Sequence, residues 1–178
     1  MLKKALLTLT CIAMATSALA KEVTIPTARG DVTLSAPPAK IAVFDTGSLD
    51  TLQALGVKVD GAADVAKLLP YLKPTLDSAK NVGTIFEPNL EALNELKPDL
   101  IIVGTRTAKK FDDVSAIAKT IDLTDNGDKL VESGIQRIDS FGRLFDKQAA
   151  ADKLKGELET LLKDTKTAVK DKGNGLII

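Results

Sequence analysis

The run Asp99-Leu100-Ile101-Ile102-Val103-Gly104 constrains this chain more than any other stretch. Consecutive apolar side chains on an extended backbone point to both sides of the strand, so both sides need cover. That is the mark of a central strand in a parallel sheet. Parallel neighbours require crossover connections, and the flanking sequence supplies them in turn. Residues 40–44 form a short apolar run ended by Asp45, and Leu49, Leu52, Ala54 and Leu55 follow at helical spacing until Gly56. Residues 57–63 read as a second strand, and Pro70 and Pro74 keep the helical piece within 67–80 short or irregular. Asn81-Val82-Gly83 reads as a brief strand, 84–88 as a loop, and 89–96 as a helix capped by Asn89, carrying Glu91 in its first turn and ended by Lys97-Pro98. Residues 112–118 read as helix and 120–123 as a fifth short strand. Residues 128–145 read as a helix burying Leu130, Val131, Ile135, Ile138, Leu144 and Phe145. The alternation predicts an α/β fold, a parallel sheet with helices on both faces.

Ahead of this unit, 23–25 and 31–34 alternate as the arms of a β-hairpin around Thr27-Ala28-Arg29-Gly30, and Pro37-Pro38 separates the hairpin from the sheet. Arg29-Gly30-Asp31 spells an integrin-type tripeptide, which we read as a turn in which glycine supplies positive φ. At the other end, 147–171 places Ala151, Leu154, Leu158, Leu161, Leu162 and Val169 at spacings of three, four and seven among charges. That predicts a helix of about 37 Å, longer than most helices within one lobe. Gly173-Asn174-Gly175 then turns the chain into Leu176-Ile177-Ile178, the expected start of another buried strand. A chain stopping there leaves strand donors and side chains without partners, so we expect the first part of a longer protein.

Charge and composition remove several function classes. The 178 residues include 24 basic and 24 acidic side chains, so there is no positive field for neutralising phosphates, and nucleic acid is excluded as a partner. With no His and a single Cys, a zinc site, an internal disulfide and Ser-His-Asp or Cys-His catalysis are excluded within this chain. Lys3 and Lys4, the apolar stretch 5–15 and Ala18-Leu19-Ala20 have the order of a secretory signal cut after Ala20. Cys11 follows Thr10 rather than a small residue at a lipidation site, and it leaves with the signal. The chain from Lys21 is thiol-free, with 22 basic against 24 acidic residues. No later apolar run approaches the roughly 20 residues of a membrane span. We expect a soluble protein in the periplasm.

Three segments carry a family resemblance: Ala42-Val43-Phe44-Asp45-Thr46-Gly47-Ser48-Leu49-Asp50-Thr51-Leu52, Val82-Gly83-Thr84-Ile85-Phe86-Glu87-Pro88-Asn89-Leu90-Glu91 and Leu96-Lys97-Pro98-Asp99-Leu100-Ile101-Ile102. In order and spacing the chain resembles the amino-terminal lobe of periplasmic iron-siderophore-binding proteins, the substrate-binding partners of ABC importers. It is most similar to the branch taking catecholate siderophores, including the petrobactin and anguibactin binders. The resemblance implies two α/β lobes joined by one long helix, with the ligand between them. On that basis 1–20 is the signal peptide, 21–146 the amino-terminal lobe, 147–171 the interlobe helix and 172–178 the start of a truncated carboxy-terminal lobe.

Ligands of open α/β sheets sit beyond the carboxyl ends of strands, so 45–48, 84–86 and 104–107 are expected to face the cleft. A ferric tris-catecholate is a trianion, and arginine offers a fixed fork of donors that stays charged. Arg106 sits where this branch has a pocket arginine after its Pro-Asp-Leu-Ile-Ile strand, and the alternative is a solvated surface arginine. Thr105 adjoins it, and Thr84 and Phe86 are read as pocket edge, although Phe86 suits the core nearly as well. Asp45 is read as accepting backbone N–H groups of its loop while Ser48 caps the following helix. In the resembling family a surface Glu at the start of the helix after the middle motif docks onto the permease. Glu91 matches that position best, Glu87 is the second choice, and helix-dipole stabilisation is the alternative role.

The expected protein is therefore a monomeric receptor for a ferric, catecholate-type siderophore that delivers it to an inner-membrane ABC permease. It is not an enzyme. The siderophore's own oxygens hold the iron, so no directly bound cofactor or metal ligand is expected here. Haem or cobalamin binding on the same scaffold is one alternative. An extracytoplasmic enzyme with its catalytic residues beyond this chain is a second, and adhesion through Arg29-Gly30-Asp31 a third.

Overall fold

The strand β6 (Leu100–Val103) is buried along its whole length between β3 (Ile41–Val43) and β7 (Thr120–Asp122), which are equally buried. Burying each of its Leu, Ile and Val side chains contributes roughly 1.5 to 3 kcal/mol, which is why a run apolar on both faces takes the middle of the sheet. The computed structural model describes residues 21–170, 172 and 173, apart from 66 and 126. The expected signal segment and the expected strand at 176–178 lie outside the described residues.

A hairpin opens the fold. Its arms, β1 (Lys21–Ile25) and β2 (Val32–Ala36), pair antiparallel with Val23 opposite Leu34. From β3 the chain continues through α1 (Thr46–Ala54), β4 (Gly61–Ala62), a 3-10 turn at Pro70–Leu72, α2 (Lys73–Ser78), β5 (Lys80–Asn81) and α3 (Leu90–Leu96) to β6. A 3-10 turn at Ala108–Lys110, α4 (Phe111–Ser115), β7, a further 3-10 turn at Gly127–Lys129, α5 (Leu130–Leu144) and α6 (Gln148–Ala168) complete it.

The sheet order is β5-β4-β3-β6-β7 with every neighbour parallel. The chain steps outward from β3 to β5, then returns to the opposite side of β3 as β6. The loops leaving β3 and β6 therefore diverge, which makes a crevice at their carboxyl ends.

Several elements differ from the sequence expectation. The strand expected over 57–63 is only Gly61–Ala62; just before it Asp60 meets β3 through its side chain, which accepts the Ile41 N–H at 3.1 Å, and through its own N–H, which donates to Ile41 O at 3.1 Å. Helix 112–118 shortens to α4 as its last turn tightens, with Ile117 N–H donating to Val114 O.

The helix expected over 128–145 starts as a 3-10 turn. Leu130 and Val131 are exposed, while Ile138, Ser140, Phe141, Gly142 and Leu144 are buried. α6 buries Ala151 alone, and Leu161 and Val169 of its predicted apolar stripe are exposed. Among the described residues, no helix is long and apolar enough to cross a membrane.

Candidate functional site

The loops at the carboxyl ends of β3, β5 and β6 meet over the crevice. After β3, Asp45 is itself the cap of α1, its Oδ2 accepting both the backbone N–H and the hydroxyl of Ser48 at 2.7 Å. Asp45 thus accepts a backbone N–H as expected, while the capping role expected of Ser48 is corrected: Asp45 caps, and buried Ser48 supplies the donors. A local hydrogen bond to N3 explains why this residue type starts the helix. Gly104, at the end of β6, lies so close to the Asp45 carboxylate that a Cβ there would collide with it.

After β5, Thr84 closes a tight turn. Its N–H donates to Glu87 O at 3.0 Å, and its hydroxyl accepts from the N–H groups of Phe86 and Glu87 at 3.3 and 3.0 Å. The turn buries Ile85 and leaves Phe86 59% exposed, so Phe86 is no part of the core.

After β6, Thr107 and Ala108 donate to Gly104 O at 2.9 and 2.8 Å. The fully buried Thr107 hydroxyl donates to Ile85 O, which ties the two turns together. Thr105 and Arg106 remain exposed at the tip. The Arg106 guanidinium carbon lies 5.6 Å from the centre of the Phe86 ring, within cation–π range. Among the described residues Arg106 makes no ion pair and no side-chain hydrogen bond, so a full positive charge stands uncommitted over the crevice. Chemically, such an arrangement can accept an anion beside an apolar flank.

Glu87 and Glu91 have different commitments. Glu87 pairs with Lys110 at 2.9 Å, and that bond together with the carboxylate charge raises the Lys110 pKa. Glu91 is exposed in the first turn of α3, where Asn89 caps the helix by accepting the Ala92 N–H at 2.9 Å.

Arg137, on α5, was not singled out from the sequence, yet it underlies the crevice wall. Its Nη2 donates to Asp125 Oδ1 at 2.7 Å and to Leu123 O at 3.3 Å, and its buried Nε has no hydrogen-bond partner among the described residues. The guanidinium rests against the bare Cα of Gly47, where a Cβ would not fit. One side chain thus holds the loop after β7 against the first turn of α1. The only sequence signal was a charge placed between Ile135 and Ile138 on a helix expected to be buried.

In doubly wound parallel sheets ligands bind beyond the topological switch point, the place where this fold presents an exposed aromatic ring and a cation that is unpaired among the described residues. The chain belongs to the periplasmic binding protein family, whose model matches residues 41–177. It is 40% identical over 147 residues to the petrobactin-binding protein YclQ of Bacillus subtilis, covering 79% of this chain and 45% of that relative. The crystal structure of YclQ superposes with a TM-score of 0.80, covering 87% of this chain and 56% of that one. Over that wider alignment the identity is 29%. The periplasmic catecholate-siderophore binding protein VctP of Vibrio cholerae superposes with a TM-score of 0.77 at 27% identity, covering 85% of this chain and 55% of the other. The chain thus spans about half the length of these relatives.

Proposed function

We propose that this chain forms one wall of a ferric-siderophore pocket in an exported substrate-binding protein that hands its ligand to an ABC permease. The supporting observation is Arg106, unpaired among the described residues on the switch-point loop, with its guanidinium carbon 5.6 Å from the centre of the Phe86 ring. Relatives named for binding petrobactin and catecholate siderophores point to the same ligand class. The guanidinium donates charge-assisted bonds to catecholate oxygens while Phe86 shields one side of them from water. Thr105 flanks the ligand. Thr84, whose hydroxyl accepts from two backbone N–H groups, acts by shaping the turn that presents Phe86. The siderophore oxygens hold the iron, and the protein performs recognition without catalysis, in keeping with relatives named as binding proteins.

In the same proposal, 21–146 is the amino-terminal lobe, 147–171 the interlobe helix, 172–178 the start of a second lobe, and 1–20 a signal peptide directing a monomeric product to the periplasm. Glu91, with Glu87 secondary, docks the lobe onto the permease. Glu91 is the better candidate on structural grounds, because Glu87 is already engaged by Lys110.

Isothermal titration of the full-length protein with ferric petrobactin tests the pocket. A charge-assisted bond is worth about 1.5 to 3 kcal/mol, so Arg106→Ala is expected to weaken binding by about ten- to a hundredfold; unchanged affinity makes Arg106 a surface residue and removes the proposal's support. Glu91→Lys is expected to reduce uptake by whole cells with affinity intact. Loss of affinity instead would place Glu91 at the ligand and end its docking role.

A further inference from the structure

The turn of the amino-terminal hairpin, outside the matched family segment 41–177, reaches into the loop that carries Arg106. Within the turn, Thr27 Oγ1 accepts the Arg29 N–H at 3.1 Å and donates to Gly30 O at 2.6 Å, and Gly30 adopts φ 97. A local network of this kind leaves the Arg29 backbone little freedom. Ala28 N–H donates to Asp122 O at 2.9 Å, which docks the turn on the end of β7.

From this fixed base the Arg29 side chain makes three separate contacts. Its Nε donates to Asp122 Oδ2 at 3.0 Å, its Nη2 donates to Ala108 O at 3.2 Å, and its guanidinium carbon lies 4.0 Å from the centre of the Phe111 ring. Asp122 is 4% exposed, and its other oxygen accepts from the backbone N–H and hydroxyl of Thr124 at 3.0 and 2.6 Å. The buried carboxylate is therefore fully engaged and orients the guanidinium. Ala108 and Phe111 are two and five residues beyond Arg106. The near half of that loop is anchored independently by buried Thr107 on Ile85 O, and Lys110 bridges to Glu87.

We propose that Arg29 is a positioning residue for Arg106, fixing the far half of the loop after β6 so that the uncommitted guanidinium meets an anionic ligand already in place. Without it the segment 108–111 loses its tie to the hairpin and to β7, and what remains is local: Ala108 N–H on Gly104 O, Lys110 N–H on Thr107 O, the packing of Phe111 and the weak, solvent-exposed Lys110 bridge. Arg106 then samples positions away from the ligand, and small displacements of a charged group from its bonding geometry are costly. The inference rests on the pocket reading of Arg106, and its test separates the two.

Ferric petrobactin affinity is measured for the full-length protein carrying Arg29→Ala, Arg29→Lys, Arg106→Ala and the Arg29/Arg106 double substitution, with thermal midpoints recorded throughout. Because Arg29→Ala strands the buried Asp122 charge, Arg29→Ala/Asp122→Asn serves as the variant that keeps the fold. Loss of Arg29 is expected to weaken binding about tenfold, with partial recovery in Arg29→Lys and no further loss when Arg106 is already absent. An unchanged affinity without Arg29, while Arg106→Ala weakens binding, overturns the positioning role and leaves the pocket standing. Additive losses in the double variant also overturn it, since they mean Arg29 acts elsewhere. If neither substitution alters affinity, the pocket reading fails and this inference with it.

Discussion

Arg106 and Arg137 both stand beside the crevice at the carboxyl edge of the sheet, and their surroundings are opposite. Arg137 is nine-tenths buried, paired with Asp125 and hydrogen-bonded to a backbone carbonyl between the loop after β7 and α1. Arg106 is exposed and touches one aromatic ring. A charge removed from water must be compensated by fixed partners, so a buried arginine becomes part of the frame. A charge left in water with no partner retains its capacity to bind. The wall and the rim of the crevice thus carry the same residue type for different ends, and the contrast can be tested at each.

The largest effect is expected where the frame is tightest. Gly104→Val drives a side chain into the Asp45 carboxylate that caps α1, and is expected to lower unfolding free energy by about 3 kcal/mol. Urea denaturation with no change in midpoint would show that the two loops are not held together there. Arg137→Ala is expected to cost about 2 kcal/mol, because Asp125 loses its charged partner and the loop after β7 loses its tie to α1. Arg106→Ala should stay within about 0.5 kcal/mol of wild type in the same denaturation series. Equal losses for the two would erase the distinction between wall and rim.

A smaller effect lies far from the crevice, where α5 meets α6. Lys155 donates to Asp139 at 3.0 Å, and this bond, joined by one from Gln148 and the charges of Lys155 and Arg143, lowers the Asp139 pKa against the opposing effect of burial. A carboxylate held below its unfolded value of about 3.9 stabilises the fold fully above that pH. The contribution is lost as pH falls through the lower, folded value. Lys155 is shifted upward and stays charged throughout that range. Thermal melts of wild type and Asp139→Asn are therefore expected to differ at pH 6 and to converge as the pH falls below the unfolded value; a constant gap would mean that packing, not charge, makes the difference.

Much of this architecture was legible because its causes are local. The buried β6 follows from apolar residues on both faces, the start of α3 from Asn89 and its end from Lys97-Pro98, with Lys97 taking a left-handed φ of 53. The parallel order follows from the alternation of strand and helix. The face of α5 was misjudged for the opposite reason. Leu130 and Val131 share the helix's apolar character, but which side is covered depends on α1, the hairpin and α6 packing there. At the rim, Arg106 was singled out by the family resemblance of the Pro98-Asp99-Leu100-Ile101-Ile102 strand before it, whereas the exposure of Phe86 required Ile85 to take the buried place in the turn.

By itself the sequence determined an α/β fold with β6 in the interior of its sheet, the start of α3, and the loops that reach the crevice, because hydrophobic period and capping act over a few residues. Tertiary structure alone decided which charges are free. Arg29 meets Asp122 across 93 positions of the chain, Lys110 meets Glu87 across 23, and Arg137 meets Asp125 across 12. Arg106 meets no carboxylate among the described residues. Whether a guanidinium is part of the frame or available to a ligand depends on which partners the fold brings within about 3 Å, and sequence spacing carries no record of that distance.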